Sequence, residues 1–423
     1  MTPIEIFEKI AKDIPRCSKN ADKMVEFIKN YAENLGFEVQ IDSFKNILCR
    51  KKLANICLQS HYDMVCVGDT QNIVPIIENG WMRAANSTLG ADNGIGVAMM
   101  LSLMEYFDEA EYLFTSDEEI GLIGAKNIGL KISSNKVLNL DSEEEGAIYV
   151  ACAGGVDISG TREYKTMDTE GEFYEVSLAD LPGGHSGVDI DKNIPNAILE
   201  LAKALKSKNA LIASFVGGEK RNSIPANAKA VVCVQNTQGL EAFNPTPCVK
   251  SKVIKDSSEF LDMLCAAPNG VFEMDFELGI PESSANLGLI SLADGKCALT
   301  YSLRSMKLGM MNSYEKELVA YLQYFDFETN KNDFYEPWEW SADEFCIFVK
   351  SVYKKHFINA SFKAIHAGLE CAALKKHFPT ASFASVGPNI EYPHSTKERV
   401  EIDSVNKTYN AVFDLVKKVV SCD

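Results

Sequence analysis

Asn55-Ile56-Cys57-Leu58-Gln59-Ser60-His61-Tyr62-Asp63 decides how this chain is read: an apolar strand that ends in a polar cluster. The pattern recurs three times. Tyr112-Leu113-Phe114-Thr115 runs into Ser116-Asp117-Glu118-Glu119, with a helix predicted from about Gly121. Lys136-Val137-Leu138-Asn139-Leu140 runs into Asp141, and Ala381-Ser382-Phe383-Ala384-Ser385-Val386 runs into a loop that reaches His394 ahead of a C-terminal helix. Strands alternating with helices predict an α/β sheet covered by helices. Ligands of such sheets gather beyond the carboxyl ends of the strands, where all four clusters fall.

Working outward, residues 4–14 and 22–35 carry apolar side chains at helical spacing, and Gly36 stops the second helix. Residues 37–44 and 46–49 read as short strands. The middle of the chain differs in character. It has glycine pairs at Gly183-Gly184 and Gly217-Gly218 and alternating, strand-like stretches at 228–234 and 297–303. It reads as a second, α+β domain, residues 161–335, inserted into a discontinuous catalytic domain of residues 1–160 and 336–423, because His394 must return to His61.

At 423 residues the chain is long enough for two domains, and 46% hydrophobic with 24% charged residues is a globular composition. A formal net charge of −17 repels phosphate backbones and argues against nucleic acid as a partner. The first residues have neither a basic segment nor an apolar one after it, and no stretch is long enough to span a bilayer. The 12 cysteines are scattered without a CxxC pair; they are expected to be reduced core thiols of a cytoplasmic protein. Cys66 and Cys371 fall near candidate site residues, but a catalytic cysteine is disfavoured.

Only six histidines are present, so the setting of each carries information. His61 and Asp63 are two apart at a strand end, which puts both side chains on one side. Asp63 can then orient one ring nitrogen while the other faces a metal. Asp92 lies in Leu89-Gly90-Ala91-Asp92-Asn93-Gly94-Ile95-Gly96, just before an apolar helix; the three glycines suit a tight turn against a ligand, and a carboxylate there can bridge two metals. The run is a poor dinucleotide fingerprint, since no strand directly precedes it and the spacing differs. Of the adjacent Glu118 and Glu119, one can bind metal while the other serves as base toward an attacking water. Asp141 is favoured as a ligand by its strand-end position, although Glu143 and Glu144 compete on chemistry alone. His394 completes a set of five oxygen and nitrogen donors with one shared carboxylate, which suits two zinc ions.

These segments resemble the aminoacyl-histidine (Xaa-His) dipeptidases, within the aminoacylase- and carboxypeptidase-like two-zinc hydrolases. The resemblance runs from Ile14-Pro15-Arg16 to the last helix. It is carried by Ser60-His61-Tyr62-Asp63-Met64-Val65, residues 88–96, 115–121 and 140–146, Gly183-Gly184-His185-Ser186-Gly187, His366-Ala367-Gly368-Leu369-Glu370-Cys371 and Pro393-His394-Ser395. It implies a mixed-sheet catalytic domain in which His61 and Asp141 hold one zinc, Glu119 and His394 the other, and Asp92 bridges them through a cis Asp92–Asn93 peptide. Asp63 would orient His61, and Glu118 would be the general base.

By the same resemblance the insert is a lid that forms a homodimer. His185 would stabilise the oxyanion in the partner subunit's site, Asn222 and Arg304 would grip the substrate's terminal carboxylate, and Gly368 would line the pocket. The implied activity is hydrolysis of dipeptides, Xaa-His or broader, with two Zn²⁺ per subunit and Mn²⁺ or Co²⁺ as substitutes. The alternative is an N-acyl amino-acid amidohydrolase built on the same site. His366 is expected to be a hydrogen-bonded structural residue, and His356 and His377 to lie on the surface. The chain departs from the family pattern at Asn193-Ile194-Pro195 and Tyr335-Glu336-Pro337-Trp338, both near the lid, and its insert looks shorter.

Overall fold

A computed structural model describes residues 1–421. They form two compact units: Met1–Ala151 with Trp340–Ala364 and the chain from Leu369 onward, and Cys152–Glu339 with the short return Ile365–Gly368.

The first unit is built on a mixed eight-stranded sheet in the order Glu38–Ile41, Ile47–Arg50, Ala110–Thr115, Ile56–His61, Lys136–Asn139, Ser382–Ser385, Ala147–Cys152, Ser361–Ile365. Four strands at its centre, from Ala110–Thr115 to Ser382–Ser385, are mutually parallel. Ile56–His61 and Ala110–Thr115 are buried along their whole length, as expected of strands covered on both faces. Pro3–Asp13 opens the chain as a helix with a full capping box between Thr2 and Glu5. Helix Ala91–Met104 is buried on nearly every side, consistent with its almost uninterrupted apolar sequence. It begins one residue after Gly90, and the Asp92–Asn93 peptide is cis, as the resemblance implied.

Two local expectations are corrected. The helix expected from Gly121 shrinks to Ile123–Lys126, because Gly121 and Leu122 take left-handed φ values of 116° and 59° and delay its start. The cysteines are not all reduced: Cys17 and Cys66 form a disulfide. Their partnership is invisible in spacing, since 49 residues separate them; it arises because Cys17 pairs beside Met64 as an isolated bridge. Among the described residues nine other cysteines are outside any disulfide, most of them buried.

The second unit is an antiparallel sheet in the order Thr246–Pro247, Glu172–Leu178, Ala228–Val234, Leu211–Gly217, Ile280–Ala293, Lys296–Ser305, Gly154–Glu163, Glu328–Tyr335, with Gly270–Asp275 paired to Ile280–Ala293. Side chains of helices Ala197–Ser207, Ser257–Cys265 and Leu308–Tyr324 join this sheet in one apolar core that includes Leu201, Phe260, Leu318 and Tyr301. The chain is thus α/β with an inserted α+β unit.

Candidate metal centre

The parallel strands deliver the polar clusters to one edge of the first unit. His61 is the last residue of its strand, while Glu118, Glu119 and Asp141 follow theirs within a few residues. Asp92 enters from the cis turn, and His394 arrives from the loop after Ser382–Ser385 in a left-handed conformation, φ 59°.

Asp92 sits between two histidines. Its Oδ1 is 3.1 Å from His61 Nε2, and its Oδ2 is 3.0 Å from His394 Nε2. Asp141 Oδ1 lies 3.2 Å from the same His61 nitrogen, and Glu119 Oε2 lies 2.9 Å from the same His394 nitrogen. Besides a His61–Glu118–Glu119 group, two donor trios result, His61–Asp92–Asp141 and Asp92–Glu119–His394, each within the reach of one cation and sharing Asp92. His61, Asp63 and Glu119 are almost fully buried, Asp92 and Asp141 nearly so, and His394 is about half exposed. The competing acids do not join either trio: Glu144 is paired with Lys363 at 2.6 Å.

Asp63 organises the cluster from behind. Its Oδ1 faces His61 Nδ1 at 3.4 Å and accepts from the Glu118 amide at 3.0 Å. Its Oδ2 accepts from Ser18 Oγ at 2.8 Å and from the Glu119 amide at 3.4 Å. One carboxylate therefore orients a histidine and fixes the turn that carries both glutamates. Burial works against ionising Asp63, but His61, Ser18 and the Glu118 amide hold its carboxyl below the usual range.

The electrostatics favour cations. Asp63, Asp92, Glu118, Glu119 and Asp141 are five carboxylates around two imidazoles. Burial pushes Glu118 well above the ordinary range, and Glu119, Asp141 and Glu370 add to the push against the pull of His61. Glu119 is raised to about 7, by burial and then by Asp92. Burial disfavours charge on His61, yet Asp141, Asp63 and Asp92 lift it well above a free imidazole. Carboxylates that draw a proton onto a buried ring draw a divalent cation equally. Glu119 Oε1 is buried without a hydrogen-bond partner, an oxygen suited to a metal. The donor set thus fits two metal ions.

A polar layer beneath this edge was not anticipated. Glu370 is fully buried and accepts from Gln59 Nε2 at 2.6 Å and Thr115 Oγ1 at 2.7 Å. Gln59 in turn accepts from Asn139 at 2.6 Å, and the Asp141 amide donates to Asn139 Oδ1 at 3.2 Å. The available signal was a polar residue two places before each strand-end site residue: Gln59 before His61, Asn139 before Asp141. The three glycines around Asp92 also make a different kind of close approach from the one expected. A Cβ at Gly90 or Gly94 would strike the guanidinium of Arg16, and one at Gly96 would strike Asn93, Leu140 and Ser60. They accommodate protein atoms rather than a ligand.

His185, Asn222, Arg304 and Gly368 all lie in the second unit. Gly184-His185 pairs with Ser223-Ile224, which sets His185 beside Asn222, and the Ser186 amide donates to the Asn222 carbonyl at 2.9 Å. His185 Nδ1 accepts from the Gly187 and Val188 amides at 3.2 and 3.1 Å, so the proton of the neutral ring resides on Nε2. A Cβ on Gly187 would meet His185, Arg304 and the His366 carbonyl, which marks where these residues converge. Arg304 is buried; its Nη1 donates to Tyr335 at 2.9 Å and its Nε has no hydrogen-bond partner. Gly368 packs against the Tyr335 ring, leaving no room for a side chain.

His366 is buried and bonded to Ser284 Oγ at 2.7 Å, and burial, then Arg304 and His185, lowers it to about 3, so the ring is neutral. His377 is exposed as expected. His356 is not simply a surface residue: it is partly buried and hydrogen-bonded to Asp414 at 3.0 Å, because the last helix packs over its segment.

An α/β sheet with buried carboxylates and histidines at its carboxyl edge, and an inserted α+β unit, defines a metallohydrolase class. Within that class, residues 57–418 match the profile of Peptidase family M20/M25/M40, and the chain belongs to that family of peptide-bond hydrolases. The chain is 31% identical to the cytosol non-specific dipeptidase of Escherichia coli (strain K12) over 98% of its own length and 97% of the relative's. Among solved structures it is similar to the aminoacylhistidine dipeptidase of Vibrio alginolyticus, with 30% identity, 98% and 96% coverage and a TM-score of 0.77. A tripeptidase of Staphylococcus aureus shares the fold at 17% identity, 99% and 97% coverage and a TM-score of 0.61.

Proposed function

We propose that the protein is a dipeptidase that uses two divalent metal ions. The observation that carries this reading is the pair of donor trios sharing Asp92. One ion would be held by His61 and Asp141, the other by Glu119 and His394, with Asp92 common to both; zinc suits this mixed set, and manganese or cobalt would also fit. Bound there, the metals would polarise the scissile carbonyl and make water a nucleophile at neutral pH.

The chain's own groups do the rest. Glu118, partly buried beside the trios and raised in proton affinity, takes a proton from the attacking water and returns it to the leaving amine. Asp63 holds His61 and the Glu118–Glu119 turn in register. The second unit supplies recognition: Arg304 and Asn222 take the terminal carboxylate, Gly368 lines the pocket with backbone, and His185 presents an Nε2–H to an oxyanion, in the homodimer reading that of the partner subunit. A lid and dimerisation role for residues 161–335 belongs to the same reading.

The names of the relatives with 30% and 31% identity favour unblocked dipeptides over N-acyl amino acids. The E. coli relative's name also supports a cytoplasmic location, and among the described residues no helix is long and apolar enough to cross a membrane. The test assays chelated and Zn²⁺- or Mn²⁺-reconstituted protein against a dipeptide panel and against acetylated and carbamoylated amino acids. Metal-restored release of amino acids from the dipeptides is expected. Turnover of the acylated set alone would turn the assignment to an amidohydrolase, and activity indifferent to metal would overturn the site.

A further inference from the structure

Glu398 is a carboxylate that the reaction itself does not require. It is 1% exposed, and both oxygens are spent on one backbone turn. Oε2 accepts from the amides of Leu89 and Gly90, each at 2.8 Å, and Oε1 accepts from the amide of Asp92 at 3.2 Å. Glu398 also stands four residues after His394, on a turn closed by its own amide donating to the Ser395 carbonyl at 3.1 Å. A single side chain thus ties the segment bearing His394 to the peptide bearing Asp92.

The other side of the turn is braced by Arg16. Its guanidinium is fully buried, donates through Nη2 to the Gly90 carbonyl, and occupies the space left by the missing Cβ atoms of Gly90 and Gly94. Nε and Nη1 have no hydrogen-bond partner. Burial lowers Arg16 to about 10, against the pull of Glu398, Asp63 and Asp92, so it stays cationic at neutral pH. Burial likewise raises the Glu398 carboxyl, and the amides of Gly90, Asp92 and Leu89 draw it back. A buried acid of this kind is tolerable only with such donors and a nearby countercharge.

We propose that Glu398 is a positioning residue for the shared carboxylate: by gripping three amides around Asp92 it sets where Asp92 Oδ2 stands relative to His394 and Glu119, and so controls affinity for the cation of that trio. Arg16 braces the same turn through the Gly90 carbonyl. The inference rests on the two-metal reading above. Both oxygens are needed, because one side of the turn has two amides and the other has one. A glutamine offers one acceptor and places an NH₂ against an amide on the opposite side.

The experiment titrates metal-free protein with Zn²⁺ calorimetrically and with Co²⁺ by visible absorption, comparing wild type, Glu398→Gln and Asp92→Asn. Supporting metal-binding groups outside the ligand set commonly govern affinity by about 10–100-fold. Glu398→Gln is therefore expected to bind one cation within about threefold of wild type and the other at least tenfold more weakly, with an altered Co²⁺ spectrum and turnover restored by excess metal. Wild-type affinities for both cations in Glu398→Gln would overturn the proposal. If wild type binds fewer than two cations, or Asp92→Asn binds two unchanged, the two-metal reading itself fails, a separate outcome. Circular dichroism of the metal-free proteins checks folding. Should Glu398→Gln not fold, Glu398→Asp, which keeps both oxygens but shortens their reach, takes its place: selective weakening of one cation is expected, and unchanged affinity for both refutes the proposal.

Discussion

The two units solve opposite electrostatic problems. In the first, carboxylates are crowded at the edge of a parallel sheet, each oriented by a partner behind it: Asp63 by Ser18 and the Glu118 amide, Glu370 by Gln59 and Thr115. In the second, an antiparallel sheet carries Arg304 with the His185 and His366 rings, and Arg304 and His185 converge near Gly187. In the proposed reading the first arrangement takes cations and the second a carboxylate or oxyanion, so that catalysis and recognition fall to separately built sheets.

The strongest way to break that contrast is at the base. Glu118→Gln keeps shape but cannot take a proton, so kcat is expected to fall roughly 10³-fold. Metal content, measured by atomic absorption, should be unchanged; loss of metal would move Glu118 from base to ligand. On the recognition side, Arg304→Met removes a charge-assisted contact of about 1.5–3 kcal/mol. The expected effect is a KM higher by roughly 10–100-fold with kcat and metal content little altered; a collapse of kcat instead would deny the division of labour.

Asp63→Asn sharpens the first unit's side of the comparison. Asparagine offers one acceptor oxygen where Asp63 uses two, and metal affinity is expected to drop about 10–100-fold in competition with a chromophoric chelator. The smallest effect concerns stability. Glu370 is raised to about 7, first by burial, opposed by His61 and reinforced by Asp141. A raised carboxyl contributes stability below its unfolded value that is lost as pH rises through about 7. In metal-free protein, Glu370→Gln should therefore gain on wild type between pH 5 and pH 8 by on the order of 2 kcal/mol, at about 1.4 kcal/mol per unit. Urea denaturation at the two pH values reads this; an equal offset at both would remove Glu370 from the account.

How much could be read without coordinates follows from sequence distance. Strand runs such as residues 56–61 and 110–115 are local patterns, and strand-end placement singled out His61 and the Glu118-Glu119 pair. The division of roles inside that pair, and of Asp141 from the glutamates after it, needed the family resemblance. Glu398 and Arg16 escaped notice because their partners are remote: Glu398 bonds amides 306 to 309 residues away, and Arg16 reaches a carbonyl 74 residues on. Gln59 and Asn139 were legible in principle, since each interrupts an apolar strand two residues before a site residue.

Residue order alone determined the α/β character and the strand-end polar clusters from which the candidate metal ligands are drawn, because apolar periodicity and strand-end polarity are short-range signals. Tertiary structure alone decided that Asp92 places one oxygen against each histidine, that Glu144 is occupied by Lys363, that Cys17 meets Cys66, and that glycines 90 and 94 make room for Arg16. These are contacts between segments far apart in the chain. Only the packing of the sheet, the buried helix and the returning C-terminal segment brings their atoms within bonding distance.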